Sequence, residues 1–379
     1  MAGPIELQSI DAALDTAKRR PLTIRTIAEI LAMKFDDGDL ILPNGYLVLG
    51  ERTAICGMGG VGKSRLTMQL ACCCRIGRTF LDWETRGRHL RWLFLQTENS
   101  CRRLQSDLQR MLSAFTEDEC RAIMEGVFFH TLEADDDGFL ALDGENRERI
   151  AAAIAQCDAD IVVYDPLRDF GTDDLNADKC MTDTLREIAR LTRRGNPRRV
   201  PLVIHHAGTG KAGIQKVSGF DRTSFGRNSK VLFGWARAQI NVAPARPDDN
   251  SLLIIASGKC SNSAEFEPFA ARLNLETMLY ECDPNFDFDE WRDALDSPQT
   301  SAGKLTPDTV LALLPMSGST PKNAVIETLR DKGIGEKKAR AFLDHHTTAN
   351  GPFYKWRLKR SRKPDEIHLA RQPQADPPS

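Results

Sequence analysis

The segment Gly57-Met58-Gly59-Gly60-Val61-Gly62-Lys63-Ser64-Arg65 decides the fold of this chain of 379 residues. It satisfies the pattern G-x-x-x-x-G-K-[ST], in which glycines let backbone N–H groups converge on the phosphates of a nucleotide. The helix expected after the loop points its positive end at the same phosphates. We expect Lys63 to reach the β/γ-phosphates and Ser64 to hold Mg²⁺. The sequence therefore predicts a nucleotide-binding phosphate loop from Gly57 to Arg65.

The same glycines also form G-x-G-x-x-G at Gly57, Gly59 and Gly62, a pattern typical of dinucleotide sites. A dinucleotide loop does not need Lys63-Ser64 directly after the last glycine. An apolar run precedes the loop and apolar residues follow it at helical spacing, as a strand and a helix would. These features together favour a nucleoside triphosphate.

Around this loop, apolar runs alternate with amphipathic runs from Gly45 to Asn274. Strands that alternate with helices are joined by crossovers and form a mostly parallel sheet. The sequence therefore predicts an α/β fold with a mostly parallel central sheet flanked by helices. The predicted strands are Arg52 to Cys56, Leu90 to Thr97, Ile161 to Tyr164, Leu202 to Ile204, Ala238 to Val242 and Leu252 to Ala256. The predicted helices are Ser64 to Arg75, Arg102 to Phe115, Arg147 to Gln156 and Ala177 to Arg194.

The chain is divided into an acidic part and a basic part. Its 51 Lys+Arg and 53 Asp+Glu give a formal net charge of −2, and 41% of its residues are hydrophobic, which excludes a collagen-like or wholly disordered chain. From Lys304 onward, however, 14 basic residues face 8 acidic ones, a net of +6. Residues 1–303 therefore carry −8, a pattern that indicates a polyanion-binding appendage on an acidic core.

Ten cysteines include three consecutive ones, Cys72 to Cys74, and no C-x-x-C pair. We expect reduced thiols that serve as small core residues. The N-terminus lacks the basic segment followed by an apolar stretch that is typical of a signal peptide. No segment reaches the length of about 18 apolar residues that a membrane span needs. The sequence thus predicts a cytoplasmic protein that does not enter a membrane.

Changes in composition predict the domain boundaries. Residues 1–42 form a helix-leaning leader, and residues 43–283 form the α/β domain. A stretch rich in Pro, Ser and Asp at 284–304 indicates a linker. Residues 305–371 form a small α+β domain, and residues 372–379 are expected to be disordered.

Two acidic residues end apolar strands of the predicted sheet, where parallel sheets place their ligands. Glu98 follows the strand ending at Thr97 and is suited to orient the water that attacks the γ-phosphate. It could instead cap the next helix. Asp165 closes Ile161 to Tyr164 and is suited to hold Mg²⁺, although a strand-end Asp before Pro166 also fits simple turn chemistry.

A third predicted strand ends in His205-His206, and one of these side chains is placed to sense the γ-phosphate. Residue chemistry leaves a structural role equally open. The segment from Ala207 to Arg222 is rich in glycine and lysine and too long for a tight connection. Its cations suit a nucleic-acid backbone, while a solvated surface loop is the alternative. Lys211, Lys216 and Arg222 are its candidate contacts.

This set of motifs resembles the RecA-like ATPases of the replicative helicase RepA type, an AAA family group. The resemblance covers about Leu42 to Leu273 in motif order and spacing, including Phe225 to Leu232 and Ser257-Gly258-Lys259. It implies six-membered rings with ATP sites between subunits. Lys63, Ser64, Glu98 and Asp165 would act in one subunit, while Arg227 and Lys259 would reach in from the neighbour as cationic fingers, and His205 or His206 would be the sensor.

Two departures from that family fall beside the fingers. Asn228 stands where the family more often has Gly, and Cys260 to Ser263 replace its usual aromatic residue and Gly after the Lys. Lys259 is thus the less secure of the two fingers.

The basic C-terminal part resembles a winged helix, with three predicted helices (Thr306 to Leu314, Pro321 to Lys332, Gly335 to His346) and a hairpin. Basic side chains attract phosphates without sequence preference. A winged helix that binds protein instead is the alternative. The candidate DNA contacts are Lys337, Lys338, Arg340, Lys355, Arg357, Lys359, Arg360, Arg362 and Lys363.

The sequence therefore predicts an Mg²⁺-dependent ATPase that assembles as a homohexamer. It would bind single-stranded DNA through the ring and duplex DNA through the C-terminal domain, as a replication helicase of a plasmid, phage or mobile element does. The alternatives are an ATP-switched DNA-binding regulator or loader without helicase activity, and a strand-exchange ATPase, which the His-His-Ala pattern disfavours.

Overall fold

The computed structural model describes residues 23–132, 138–175, 177–207, 214, 216–217, 222, 225–226, 229–246, 249–296, 305–315, 319–331, 334–347, 353–358 and 366–371. The chain divides into two compact units, Met1–Phe286 and Asp287–Ser379. None of the helices within those described ranges is both long and apolar enough to cross a membrane. The finer domain boundaries stay predictions.

A nine-stranded sheet forms the centre of the first unit, after a small antiparallel pair of β1 (Leu40–Leu42) and β2 (Leu47–Val48). Its strands are β3 (Thr53–Gly57), β4 (Trp92–Gln96), β5 (Val127–Phe129), β6 (Ile161–Asp165), β7 (Val200–His206), β8 (Ala238–Arg246), β9 (Asp249–Cys260), β10 (Phe269–Leu273) and β11 (Tyr280–Cys282). Their spatial order is β11-β10-β9-β8-β3-β7-β6-β4-β5.

The six strands from β8 to β5 in that order are parallel, and β9, β10 and β11 extend the sheet in antiparallel fashion. Every residue of β3, β4 and β6 is buried, as expected for parallel strands covered on both faces. The structure therefore confirms the predicted α/β fold. The sequence did not predict β5, β10 and β11, which have only three to five residues each.

Helices accompany these strands, and four of them begin at a residue whose side chain accepts from the first turn. The helices are α1 (Ile27–Leu31), α2 (Lys63–Ile76), α3 (Cys101–Leu112), α4 (Glu117–Gly126), α5 (Gly144–Cys157), α6 (Asp178–Thr192) and α7 (Ser229–Trp235). Helix α2 ends at Gly77, whose φ of 72° suits a left-handed C-cap. The sequence analysis missed α4, although Thr116 and Glu119 form a capping box at its start.

Helix α2 also explains the run of cysteines. Cys72, Cys73 and Cys74 are buried in the core, and all ten cysteines are free thiols. Burial raises the pKa of Cys72 and of Cys73 to about 12. The structure therefore confirms that these thiols serve as small core residues.

The second unit has its own hydrophobic core. It contains α8 (Phe288–Asp296), α9 (Pro307–Leu311), β12 (Thr320–Pro321), α10 (Lys322–Asp331), α11 (Glu336–His346), β13 (Phe353–Leu358) and β14 (Glu366–Arg371). The strands form a sheet in the order β12-β14-β13. The predicted three helices and the hairpin strands are thus confirmed. The core includes Val310, Val325, Leu329, Ala339, Leu343, Phe353 and Leu369.

Candidate active site

The predicted phosphate loop connects β3 to α2, as its pattern requires. Gly62 has a φ of 89° and forms the N-cap of α2. A side chain is strained in this left-handed conformation, so glycine is favoured here. The loop therefore ends with the first turn of α2 facing the carboxyl edge of the sheet, where an anion would meet the positive end of the helix.

Lys63, the first residue of α2, is held inside the loop. Its Nζ donates to the carbonyl oxygens of Gly57 at 3.0 Å and Met58 at 2.7 Å. The side chain is almost fully buried, and burial lowers its pKa to about 8. The direct hydrogen-bond partners of this ammonium are carbonyl oxygens, which carry only partial charge, so a phosphate at the loop would offer it a stronger, fully charged partner.

Strand register brings the other predicted groups to the same edge. Gly57 of β3 lies beside His206 of β7, and Gln96 of β4 lies beside Asp165 of β6. Strands β7 and β6 are neighbours in the sheet. The loop, the histidine and the acidic strand ends therefore share one edge, although they are far apart in the sequence.

Asp165 is buried and bonded through its side chain to Ser64 of α2. Burial raises its pKa to about 6, while the Ser64 hydroxyl and the Lys63 ammonium act in the opposite direction. No cluster of three or more His, Cys, Asp or Glu able to hold a metal occurs in the described ranges. Two oxygen ligands suit Mg²⁺, which keeps waters and binds substrate phosphates, so this pair fits that ion.

Glu98 lies two residues beyond β4 and lines the same cleft as Asp165. Ser100, and not Glu98, caps α3 by accepting from the Arg103 backbone N–H, so the structure assigns the cap to another residue. The Arg168 Nη2 donates to Glu98 Oε1 at 2.8 Å. The His206 Nε2 lies 3.9 Å from that oxygen, too far for a direct hydrogen bond. His206 and Arg168 nevertheless both lower the pKa of Glu98.

The two histidines of β7 lie on opposite faces, because side chains alternate along a strand. His206 lines the cleft, and its Nε2 is buried without a hydrogen-bond partner in the described part of the chain. His205 is buried beside Gly226, where an added Cβ would meet its ring at 3.2 Å. The structure thus brings His206, but not His205, into the predicted site.

The cleft has a volume of about 130 Å³ and includes residues that were not predicted. Asn99, just before the N-cap of α3, lines it together with Arg103 and Asp107, which are four residues apart on one face of α3. Arg65 donates to Asp107 at 3.2 Å across the cleft. That spacing, directly after an acidic strand end, was the signal available in the sequence.

Lys259 does not face outward as a finger would. Its Nζ donates to the carbonyls of Phe233 at 2.7 Å and Ala236 at 2.9 Å and lies 4.6 Å from the centre of the Phe233 ring. These carbonyls belong to the C-terminal end of α7, where a helix dipole favours a cation. The ammonium therefore supports α7 within this chain, and the role of Lys259 as a finger stays a prediction.

Part of the predicted DNA surface falls inside the described ranges. Lys337, Lys338 and Arg340 are exposed on α11, and Arg340 pairs with Glu336 at 2.9 Å. Lys216 is half-buried, and Arg222 pairs with Glu265 at 2.7 Å. Lys355 and Arg357 lie on β13, and their side chains are outside the described part of the chain. Arg227, Lys211, Lys359, Arg360, Arg362 and Lys363 also lie outside the described residues.

Comparison with known proteins adds one family. The family model described as AAA domain matches residues 19–212, just over half of the chain. The matched range contains the phosphate loop, Glu98, Asp165 and His206, and it ends before Arg227, Lys259 and the second unit. No curated protein matches the chain.

Proposed function

Since this chain belongs to the AAA domain family and is a P-loop ATPase, we propose that it is an Mg²⁺-dependent ring ATPase that acts on DNA. One observation carries the proposal: Lys63, Ser64, Asp165 and Glu98 line a single cleft at the carboxyl edge of a parallel sheet. This set provides a cation that can bind phosphate, two ligands for a metal ion and a carboxylate that can orient a water molecule. These are the parts that phosphoryl transfer to water needs.

Each side chain has a distinct task in hydrolysis. Lys63 exchanges its bonds with Gly57 and Met58 for bonds with phosphate oxygens. Ser64 and Asp165 would hold Mg²⁺, which would supply charge neutralisation on the phosphates. Glu98 accepts a hydrogen bond from the attacking water and holds it in line with the γ-phosphate. His206, whose buried Nε2 has no hydrogen-bond partner in the described ranges, donates to the γ-phosphate and reports its presence along β7.

The ring supplies a further cation. Charge develops on the phosphoryl oxygens as hydrolysis proceeds, and a donor from the neighbouring subunit would stabilise it only in the assembled state. Arg227 is the proposed donor. The hydrolysis rate of Arg227→Ala should fall by about 10³-fold while ATP binding persists, and mixing it with Lys63→Ala should restore activity through hybrid sites.

We propose that the ring is a hexamer that moves along single-stranded DNA. Lys211 and Lys216 follow His206 in the chain and would contact the single-stranded DNA. The loss of the γ-phosphate at His206 would then change how these lysines bind the DNA. The second unit would bind duplex DNA as a winged helix, with α11 in a groove. Two observations support this DNA-binding role. Lys337, Lys338 and Arg340 are exposed on one helix, and the second unit has a hydrophobic core of its own. The proposed role is replication of a plasmid, phage or mobile element.

A second function is an ATP-switched DNA-binding regulator or loader that does not translocate. The compact second unit favours it, because a module with its own core and an exposed basic helix can recognise a duplex without help from an ATPase ring. In this case specificity lies in the second unit, and ATP controls only assembly.

One set of measurements separates the two functions. The mass of the protein in solution is measured with and without ATP and single-stranded DNA, together with ATP turnover and strand displacement. A hexamer whose turnover rises with single strands and which separates a forked duplex supports the helicase. Tight binding of one duplex site, with turnover indifferent to single strands, refutes the helicase and supports the regulator.

A further inference from the structure

Arg168 connects the cleft to a buried carboxylate. It lies in the short 3₁₀ turn Leu167–Phe170 that follows β6. Its Nη2 donates to Glu98 Oε1 at 2.8 Å, and its Nε donates to Asp169 Oδ1 at 3.1 Å. A guanidinium can make both bonds at once because its donors form a rigid planar fork. The side chain therefore ties Glu98, at the end of β4, to the turn beyond β6.

The far end of this connection is fixed. Asp169 is buried, and its Oδ2 accepts from Thr97 Oγ1 at 2.6 Å. Thr97 immediately precedes Glu98, so the chain of contacts runs from Thr97 through Asp169 and Arg168 back to Glu98. Such a closed circuit restricts the rotation of Arg168 more than a single ion pair would. It limits in turn the positions open to the Glu98 carboxylate.

Within the described part of the chain, the polar contacts of the Glu98 carboxylate fall on one oxygen. Arg168 bonds Oε1, and the His206 Nε2 of β7 faces the same atom at 3.9 Å. The other charged groups that act on Glu98 are Lys63 at the start of α2 and, on the acidic side, Asp165 of β6. With Oε1 engaged, Oε2 is the oxygen left for a water in the cleft.

We propose that Arg168 is a positioning residue for hydrolysis, which orients the Glu98 carboxylate so that Oε2 accepts the hydrogen bond of the attacking water. The inference rests on the proposed function of Glu98. It adds a residue that does not touch the nucleotide and acts through the geometry of the carboxylate.

The test compares Arg168→Ala with wild type in steady-state ATP hydrolysis across pH, with Arg186→Ala as the matched control. Arg186 is an exposed arginine of α6 that pairs only weakly, at 3.9 Å, with Asp183. We expect kcat of Arg168→Ala to fall about fivefold, equivalent to about 1 kcal/mol, as befits a half-exposed ion pair. KM for ATP should stay within about twofold, because the phosphate contacts remain.

The pH profile separates positioning from a merely structural role. Arg168 lowers the pKa of Glu98, so its removal should move the acidic limb of kcat/KM to higher pH. Compared with Arg168→Ala, Arg168→Lys should recover part of kcat and shift the acidic limb part of the way back to its wild-type pH. The reason is that an ammonium keeps the positive charge but lacks the planar pair of donors of a guanidinium. Arg186→Ala should match wild type in every quantity.

Three results would overturn the proposal: an unchanged kcat, an unchanged acidic limb, or a raised KM with kcat intact. Should Arg168→Ala no longer bind ATP, Arg168→Gln carries the same test, because it removes the charge and keeps a donor. Wild-type protein without any ATP turnover would instead refute the proposed function. Normal turnover in Arg168→Ala refutes only the role of Arg168.

Discussion

An edge strand of the sheet packs against the phosphate loop. This packing predicts different losses of stability when two glycines of the loop are replaced by alanine. Tyr280 of β11 is almost fully buried, and an added Cβ at Gly62 would overlap its hydroxyl. Gln69 of α2 holds this strand in place, since its amide bonds the backbone N–H and carbonyl of Tyr280 at 2.7 and 2.8 Å. Gly60 lies in the same loop, and nothing within 4 Å would meet a Cβ there.

Both glycines have positive φ, 72° at Gly60 and 89° at Gly62. An alanine at either position is therefore strained by about 1 kcal/mol. Gly62→Ala must in addition displace the Tyr280 ring from a closely packed site, at a cost of about 1–3 kcal/mol. We expect the free energy of unfolding to fall by about 1 kcal/mol in Gly60→Ala and by about 2–4 kcal/mol in Gly62→Ala.

Urea unfolding at pH 7 without nucleotide measures both values, and Tyr280→Phe completes a double-mutant cycle. Removing the hydroxyl relieves the worst overlap, so Gly62→Ala should be milder in the Tyr280→Phe background, with a coupling of about 1 kcal/mol. Gly60→Ala should show no coupling with Tyr280→Phe. Equal losses for the two glycine variants, together with an additive cycle, would refute the packing of β11 against the loop.

Three further variants test individual side chains. In Asp165→Asn the free energy of unfolding at pH 7 without Mg²⁺ should rise by about 1–3 kcal/mol while hydrolysis stops. The reason is that burial raises the folded pKa of Asp165 from an ordinary 3.8 to about 6, so stability is lost as the pH rises from about 4 through about 6 and stays lost at pH 7. Urea unfolding at pH 5 and 7 should show that the free energy of unfolding of the wild type falls as the pH rises. The Asp165→Asn variant should not show this fall. Lys259→Met should lower the free energy of unfolding by about 1–2 kcal/mol and leave ATP hydrolysis active; a loss of hydrolysis that mixing with Lys63→Ala restores would instead show that Lys259 acts on a neighbouring site. Lys337→Ala with Lys338→Ala should weaken duplex binding and reduce its salt slope by about 2 without changing ATP turnover, and an unchanged slope in fluorescence anisotropy would refute α11 as the contact.

The parts of the site that could be predicted from the sequence are those that depend on local pattern. The phosphate loop is contiguous, and Asp165 and Glu98 each end a buried apolar run. Parallel strands place their carboxyl ends at one edge, so pattern alone indicated that these groups would lie close together. Predicted strands and helices differ from the observed ones mainly at their ends, which is where helices fray and strands leave the core.

The parts that could not be predicted depend on contacts between distant residues. Arg168 and Glu98 are 70 positions apart, and only the order of β4 and β6 in the sheet brings them to 2.8 Å. Which of His205 and His206 faces the cleft depends on which face of the sheet each residue of β7 occupies. The sequence shows only that neighbouring residues of a strand face opposite sides. Lys259 has an unremarkable sequence context, because its partners are backbone carbonyls that any sequence supplies.

The distribution of charge along the chain separates the tasks of residues 1–303 and residues 304–379. Residues 1–303 carry a net −8 and still form a cleft for a polyphosphate. Net attraction cannot draw the nucleotide there, so binding must rest on placed donors: Lys63, the loop N–H groups and Mg²⁺ at Asp165. Such short-range contacts are screened little by salt. In the proposed attachment to DNA, the net +6 of residues 304–379 would act by contrast through counterion release, which depends steeply on salt. Salt should therefore separate the two activities, weakening the attachment to DNA well before it weakens the binding of ATP.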